Sequence, residues 1–289
     1  MAVMFEYRAA HSAAEAVSLL REHGTDAKII AGGQSLMPLI NLGLAQPSLL
    51  IDINSAAELD FITRRNGSLA IGALTRHHTV ERSGEVRQYI PLLAEALPLI
   101  GDPQVRNRGT IGGSLAHADP VGEIPTVASC LGAIMVVQGP NGKREIPASE
   151  FFVTYLTTAL DAEELLTEVI FPILPANTGV CFKELVRRQG DFAIVAAAAA
   201  VQLGADGACT AARLALAGVM PTPLNADAAA SMLVGQKPTA QIIEQAAQAA
   251  CVGIDPESDV IASADYRRAM APVFARRALT EAFERAARA

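Results

Sequence analysis

Tryptophan is absent from this chain, which decides little by itself; the other absences are more informative. The four cysteines, Cys130, Cys181, Cys209 and Cys251, are dispersed among apolar or small neighbours, and no C-x-x-C occurs. That spacing excludes a structural zinc or an iron–sulfur cluster of the chain's own and leaves buried free thiols as the ordinary reading. No G-x-S-x-G, H-E-x-x-H or G-K-[ST] is present, which removes the common hydrolase, zinc-protease and P-loop chemistries. A basic excess is lacking too: the net charge is −7, the wrong sign for a nucleic-acid partner. No apolar run approaches the roughly eighteen residues needed to cross a bilayer. The N-terminal MAVMFEYRAAHSAAEA has no basic stretch leading into an apolar one, so no signal peptide is expected and a cytoplasmic location follows.

What is present is a chain of 289 residues, 51% apolar and 18% charged, long enough for one large domain or two to three smaller ones. The first fifty residues alternate strand and helix. Phe5–Tyr7 reads as a strand, and Ser12 with Glu15 as a capping box opening a helix that Gly24 ends. Lys28–Ala31 is a strand, Ser35–Leu42 a short helix and Leu49–Ile53 the next strand. A second segment from about Ala56 has a strand at Leu69–Ala73, a helix to Arg82 capped by Thr75, and a helical pattern over Leu92–Ile100. GDPQVRNRG then reads as a breaker-rich approach, Ile124–Leu131 as an apolar helix, and Ile134–Val137, Glu145–Ile146 and Leu165–Phe171 as strands. The pattern is α+β rather than strict βαβ alternation. PILPANTG is the best boundary, dividing 1–176 (lobes about 1–55 and 56–176) from 177–289. Beyond it Val180–Val186, Ala193–Leu203 and Cys209–Val219 read as strands. The five consecutive alanines favour helix, but the Gly204-Ala205-Asp206-Gly207 turn argues for a hairpin. The last sixty-five residues read as helices, the final one interrupted at Pro272.

Two glycine pairs stand out. AGGQSL (Ala31, Gly32, Gly33, Gln34, Ser35, Leu36) follows a strand and precedes a helix, the setting in which free N–H groups hold a phosphate. Without a G-x-G-x-x-G spacing, a nicotinamide-type Rossmann site is not indicated. The second pair lies in TIGGSLAHADPVGEIP (Thr110–Pro125), whose small and polar residues point to ligand binding. Asp119 and Glu123 there can be a carboxylate pair for acid–base work or caps for the following helix. His117 reads as a hydrogen-bonder, His77-His78 as part of a solvated helix, and Arg187-Arg188 with Asp191 as a surface ion-pair cluster.

Taken together, AGGQSLMPL, GDPQVRNRGTIGGSLAHADPVGEIP, ELLTEVIFP and FKELVRRQGDFAIVAAAAAV resemble, in order and over nearly the whole chain, the FAD-binding medium subunits of molybdenum hydroxylases. This is the group of carbon monoxide dehydrogenase and the flavin portion of xanthine dehydrogenase. The resemblance implies the two-lobed FAD-binding fold of the vanillyl-alcohol oxidase and para-cresol methylhydroxylase type, followed by a C-terminal α+β domain. It implies that the diphosphate of FAD is held by Ala31–Leu36 and by Thr110, Ile111, Gly112, Gly113 and Ser114. Further cofactor contacts would come from Ile100, His117 (where Asn is frequent), Asp119, Glu123, Leu166 on the isoalloxazine, and Lys183. Asp119 and Glu123 become positioning and capping groups rather than proton shuttles, and no catalytic residue and no metal ligand is expected in this chain. The implied partners are a small subunit with two [2Fe–2S] clusters and a large subunit with a molybdenum cofactor, assembled as a dimer of heterotrimers. A stand-alone flavin-dependent reductase of the same fold, or a flavin-free scaffold subunit, are the alternatives. On this reading Gly33→Val or Gly112→Val would expel FAD by driving a Cβ into the diphosphate site.

Overall fold

The computed structural model describes residues 5–289; the part of the leader reading that rests on residues 1–4 lies outside them. The chain begins with β1 (Glu6–Ala9), α1 (Ala13–His23), β2 (Ala27–Ile30), α2 (Leu36–Asn41) and β3 (Leu49–Asp52). Strands β1 and β2 both pair parallel to β3, giving the order β1-β3-β2. Ser12 caps α1 by accepting from the Glu15 N–H; the Glu15 carboxylate reaches back to the N–H of His11 rather than that of Ser12. The expected capping box is thus formed, with its return bond one residue earlier. Ala13, Ala16, Val17 and Leu20 bury one face of α1 against this sheet, as their helical spacing requires.

The larger lobe follows with β4 (Ile62–Arg65), β5 (Ser68–Gly72) and the short helices α3 (His77–Arg82), α4 (Gly84–Tyr89), α5 (Pro91–Ala96), α6 (Pro103–Arg108), α7 (Ile111–His117) and α8 (Glu123–Leu131). Then come β6 (Ile134–Gly139), β7 (Gly142–Pro147), α9 (Ala148–Phe151), the small hairpin β8 (Phe152–Thr154) and β9 (Thr157–Thr158), and β10 (Leu165–Pro172). An antiparallel sheet in the order β4-β5-β10-β6-β7 carries the helices. The β4–β5 hairpin turns on Asn66 (φ 44°) and Gly67 (φ 79°), an Asn-Gly signal that the sequence reading passed over. Two other expectations are corrected. Thr75 is not a helix cap, because its hydroxyl exchanges hydrogen bonds with the backbone of Phe61. GDPQVRNRG is not merely a loop: Asp102 caps α6 and Pro103 occupies its first turn, where a missing N–H costs nothing.

The C-terminal part is an antiparallel meander of β11 (Thr178–Leu185), β12 (Val195–Leu203), β13 (Cys209–Ala217) and β14 (Leu224–Asn225), backed by α10 (Asp227–Ala230), α11 (Ala240–Ala249) and α12 (Ala264–Ala286). The alanine run is a strand, as the turn signal required. Ala196, Ala198 and Ala200 enter the central core beside α8, while Ala197 and Ala199 face α12. Both faces are covered at close range, so the small side chain suits the site and packing overrides helix propensity. Helix α12 runs unbroken through Pro272, against expectation. Loss of one backbone bond is outweighed there by Ala271, Ala275, Ala278, Leu279 and Ala282 packing on the sheet. The Arg187-Arg188 cluster is also not formed: both guanidinium groups are exposed, and Asp191 meets Arg188 only through its N–H.

Candidate functional site

Both glycine segments emerge from the larger lobe's junction with the small one. Chain direction fixes the first: β2 delivers Ala31–Leu36 to the N-terminus of α2. Gly33 has φ 72°, a left-handed conformation open to glycine at little cost, and Ser35 occupies the cap position without using its hydroxyl on the helix. Among the described residues, none of the five consecutive N–H groups from Gly32 to Leu36 donates to a protein acceptor. The Gln34 side chain instead bends back to the Gly32 carbonyl at 3.1 Å. Five unsatisfied amides around a left-handed turn are a donor set suited to a diphosphate.

The second segment is built differently. Thr110 caps α7 by accepting from the Gly113 N–H at 3.0 Å. The Ile111 N–H donates to Thr75, that of Gly112 to Ala73 and that of Ser114 to Thr110. Its first-turn amides are therefore engaged within the protein, and the segment presents surface rather than free donors: Gly113 is exposed and Ser114 half-buried. Gly112 is glycine for a packing reason, since a Cβ would lie 2.8 Å from the Ala73 carbonyl oxygen on the inner side. The first segment touches the chain just ahead of the second, because a Cβ on Gly32 would strike the carbonyl group of Arg108.

Behind the second segment sits His77, 3% exposed and far from the solvated position expected of it. Its Nε2 donates to the Thr110 carbonyl at 2.9 Å and lies 3.0 Å from Ser114 Oγ, while Nδ1 is buried without a partner. Burial pushes its pKa down to about 4, with Arg106 and Arg76 adding to the effect, so the ring is neutral. An adjacent His-His pair carries no pattern that would have revealed this. Nothing in the local sequence marked Arg76 or Asn54 either, although Arg76 bonds Arg108 O and Asn54, and Asn54 bonds Ala31 O.

Asp119 and Glu123 separate in role. Asp119 accepts from the Val121 N–H at 3.0 Å and closes the turn between α7 and α8. The cap of α8 is Gly122, so neither carboxylate caps it through a side-chain bond. Glu123 is buried, and desolvation pushes its pKa up to about 8, with the charges of Glu184 and Asp119 contributing. Glu184 on β11 is likewise pushed up to about 7 by burial. His117 is half-buried in the last turn of α7, its pKa lowered by burial against the opposing pull of Asp119. Ile100 follows a short 3-10 turn at the margin of the core, and Leu166 on β10 is buried within it. Lys183 stands apart: strand alternation places it on the α12 side of β11, where it pairs with Glu281 at 2.5 Å. The structure therefore gathers Ala31–Leu36 and Thr110–Ser114 at one junction, carries Asp119 and Glu123 just beyond α7, and leaves Lys183 on another face.

The fold and these cradles define a nucleotide-cofactor domain joined to an antiparallel sheet backed by helices. Residues 3–174 match the FAD binding domain in molybdopterin dehydrogenase and residues 180–282 the CO dehydrogenase flavoprotein C-terminal domain, so the chain belongs to that flavoprotein family of oxidoreductase subunits. It is 43% identical over 282 residues to 6-hydroxypseudooxynicotine dehydrogenase complex subunit alpha of Paenarthrobacter nicotinovorans, covering 98% of this chain and 95% of the relative. With the carbon monoxide dehydrogenase medium chain of Hydrogenophaga pseudoflava it shares 41% over 283 residues, 98% of each. Among solved structures, the carbon monoxide dehydrogenase from Hydrogenophaga pseudoflava lacking the Mo-pyranopterin moiety superposes with a TM-score of 0.96 at 42% identity, covering 99% of both chains.

Proposed function

We propose that this chain is the FAD-carrying, electron-transferring subunit of a heterotrimeric molybdenum hydroxylase. The observation that carries the reading is the run of five unsatisfied backbone amides, Gly32 to Leu36, set against Arg108 and Gly109 in a chain whose residues 3–174 match the FAD binding domain. A diphosphate fits this donor set without a basic side chain, since amide dipoles fixed by the fold supply the positive field. When bound, FAD supplies a two-electron carrier, and the chain's task is to place and insulate it.

The geometry supports a division of labour among residues. Ala31–Leu36 donates to the diphosphate, and Thr110–Ser114, stiffened by its internal bonds and by His77, forms the opposing wall. Glu123, neutral at ordinary pH, is able to hold a proton and donate a hydrogen bond to the cofactor. Ile100 and Leu166 contribute apolar surface, and Asp119 and His117 shape the turn that closes the site. Lys183 is assigned to the α12 ion pair rather than to the cofactor. The organisation proposed is a FAD-binding domain over 1–176 and a C-terminal domain over 177–289. Electrons would arrive from the [2Fe–2S] clusters of a small subunit, after substrate oxidation at a large molybdenum-cofactor subunit, and leave to an external acceptor. A cytoplasmic dimer of heterotrimers is the proposed assembly.

The test is direct. The purified complex, or this chain alone, should be yellow with flavin absorbance near about 450 nm, a property of the cofactor. A colourless complex containing molybdenum and iron overturns the reading.

A further inference from the structure

The two glycine segments belong to different lobes, so the width of the site between them must be set by something that bonds to both. Backbone contact at Gly32 and Arg108 brings the segments together but, being a van der Waals contact, limits only their closest approach. Apolar packing of Leu74 and Leu165 against the small lobe joins the lobes, and side chains supply the directed bonds between the two segments. The Arg76 guanidinium, at the head of α3, donates through Nη1 to the Arg108 carbonyl, two residues before Thr110. Through Nη2 it donates to Asn54 Oδ1 at 2.6 Å. Asn54 in turn donates from Nδ2 to the Ala31 carbonyl, the first residue of the other segment, at 2.9 Å. Asn54 is itself fixed: Asp52 Oδ1 accepts from its N–H at 2.8 Å and from Nδ2 at 2.6 Å, while Asp52 Oδ2 accepts from the Tyr7 hydroxyl at 2.6 Å.

We propose that Arg76 is the positioning residue that sets the spacing of the two glycine segments, acting on Thr110–Ser114 through the Arg108 carbonyl and on Ala31–Leu36 through Asn54. Its consequence for cofactor affinity rests on the FAD reading above; its mechanical role does not. The geometry needs a planar group with two donors held at a fixed angle, which a guanidinium provides and an ammonium on a flexible stem does not. Asn54 needs both halves of its amide, the oxygen toward Arg76 and the nitrogen toward Ala31. The small lobe supplies Tyr7, Asp52 and Asn54 as a rigid base, so that strain at one segment is passed to the other.

Two variants separate this role from general stability. Arg76→Lys keeps the charge but cannot bond both partners. Asn54→Asp keeps an acceptor toward Arg76 while removing the amide N–H groups that reach Ala31 and Asp52, and it sets a carboxylate against that of Asp52. In the flavin-free full chain, Arg76→Lys is expected to speed amide hydrogen exchange together at the Met37 and Leu39 N–H groups, which bond the Gly33 and Ser35 carbonyls of the first segment, and in residues 108–114. Asn54→Asp is expected to speed it at Met37 and Leu39 alone. In FAD titrations each variant weakens binding by about tenfold or more, as expected for loss of a charge-assisted hydrogen bond or of a preorganised donor. The double variant is weaker than either single one by no more than about twofold, because both break the same link. Exchange unchanged in both segments, or FAD affinities within about threefold of the unmodified chain for both variants, overturns the proposal. Losses that multiply in the double variant overturn it as well. If the unmodified chain takes up no FAD, the flavin reading fails, and the exchange measurement still decides whether Arg76 links the segments.

Discussion

At the scale of single residues, the two glycine pairs do different work. Gly33 is held at φ 72° in the turn that exposes the free amides, so Gly33→Val strains the backbone by about 1–3 kcal/mol and disturbs the donor surface. Loss of FAD from a chain that still folds is the expected outcome, read from flavin content beside a circular dichroism melt. Gly112 packs inward on Ala73, so Gly112→Val should lower the melting temperature of the flavin-free chain as well. The sequence-based expectation is a Cβ driven into the diphosphate site at either glycine; a Cβ on Gly112 meets Ala73 and one on Gly33 meets Met37 and Ile30, because chain pattern shows that a side chain is absent and not which neighbour excludes it.

Buried titratable groups give a second prediction at this scale. Glu123, raised from the ordinary 4.5 to about 8, is neutral in the fold over a range where the unfolded chain is ionised. The unfolded state then binds fewer protons, so stability falls as pH rises from 4.5 towards about 8. Glu184, raised to about 7 by burial, acts in the same direction. His77 acts oppositely: lowered from 6.5 to about 4, it costs stability as pH falls between those values. Thermal melts of the flavin-free chain across this range should show Glu123→Gln flattening the alkaline decline; an unchanged slope would contradict the buried, protonated carboxyl.

At the scale of elements, most of the fold was legible because periodicity and turn residues agreed. The small lobe's three strands, α8 and the β12–β13 hairpin all lie where hydrophobic spacing and Gly-Asp turns placed them. Elements were missed where a local signal needed a partner to be interpreted. The polar run after Gly101 became a helix once Asp102 and Pro103 acted as cap and first turn, and α12 continued through Pro272 because the sheet holds it. Arg76, Asn54 and His77 were not legible at all, since each matters through a backbone carbonyl distant in sequence. The alanine strand offers its own test. Ala198 is fully buried between β12 and α8, and its carbonyl accepts from the Cys130 thiol. Ala198→Leu should overpack this layer and cost about 1–3 kcal/mol in chemical denaturation; a neutral result would contradict close packing of the sheet on α8.

At the scale of the whole molecule, the C-terminal sheet completes the core of the larger lobe. Val180, Phe182 and Ala198 pack in one cluster with Leu93, Ile111 and Phe171. The contact is pinned by Arg285 on α12, which pairs with Glu95 on α5 at 2.5 Å and donates to the Val180 carbonyl at 2.6 Å. Arg213 adds a bond to the Leu131 carbonyl at 2.6 Å. A fragment ending at residue 176 would leave this core open to water, so residues 1–176 expressed alone should aggregate or melt well below the full chain. Two separate cooperative transitions in the full chain would argue instead for independent domains.

The central claim is that one donor surface in this chain holds one FAD. The measurement that tests it most directly is flavin stoichiometry: denature the purified, gel-filtered chain or complex and quantify released FAD against protein. One FAD for each copy of this chain, lost in Gly33→Val, is the predicted result. No FAD retained after reconstitution, or retention unaffected by Gly33→Val, contradicts it.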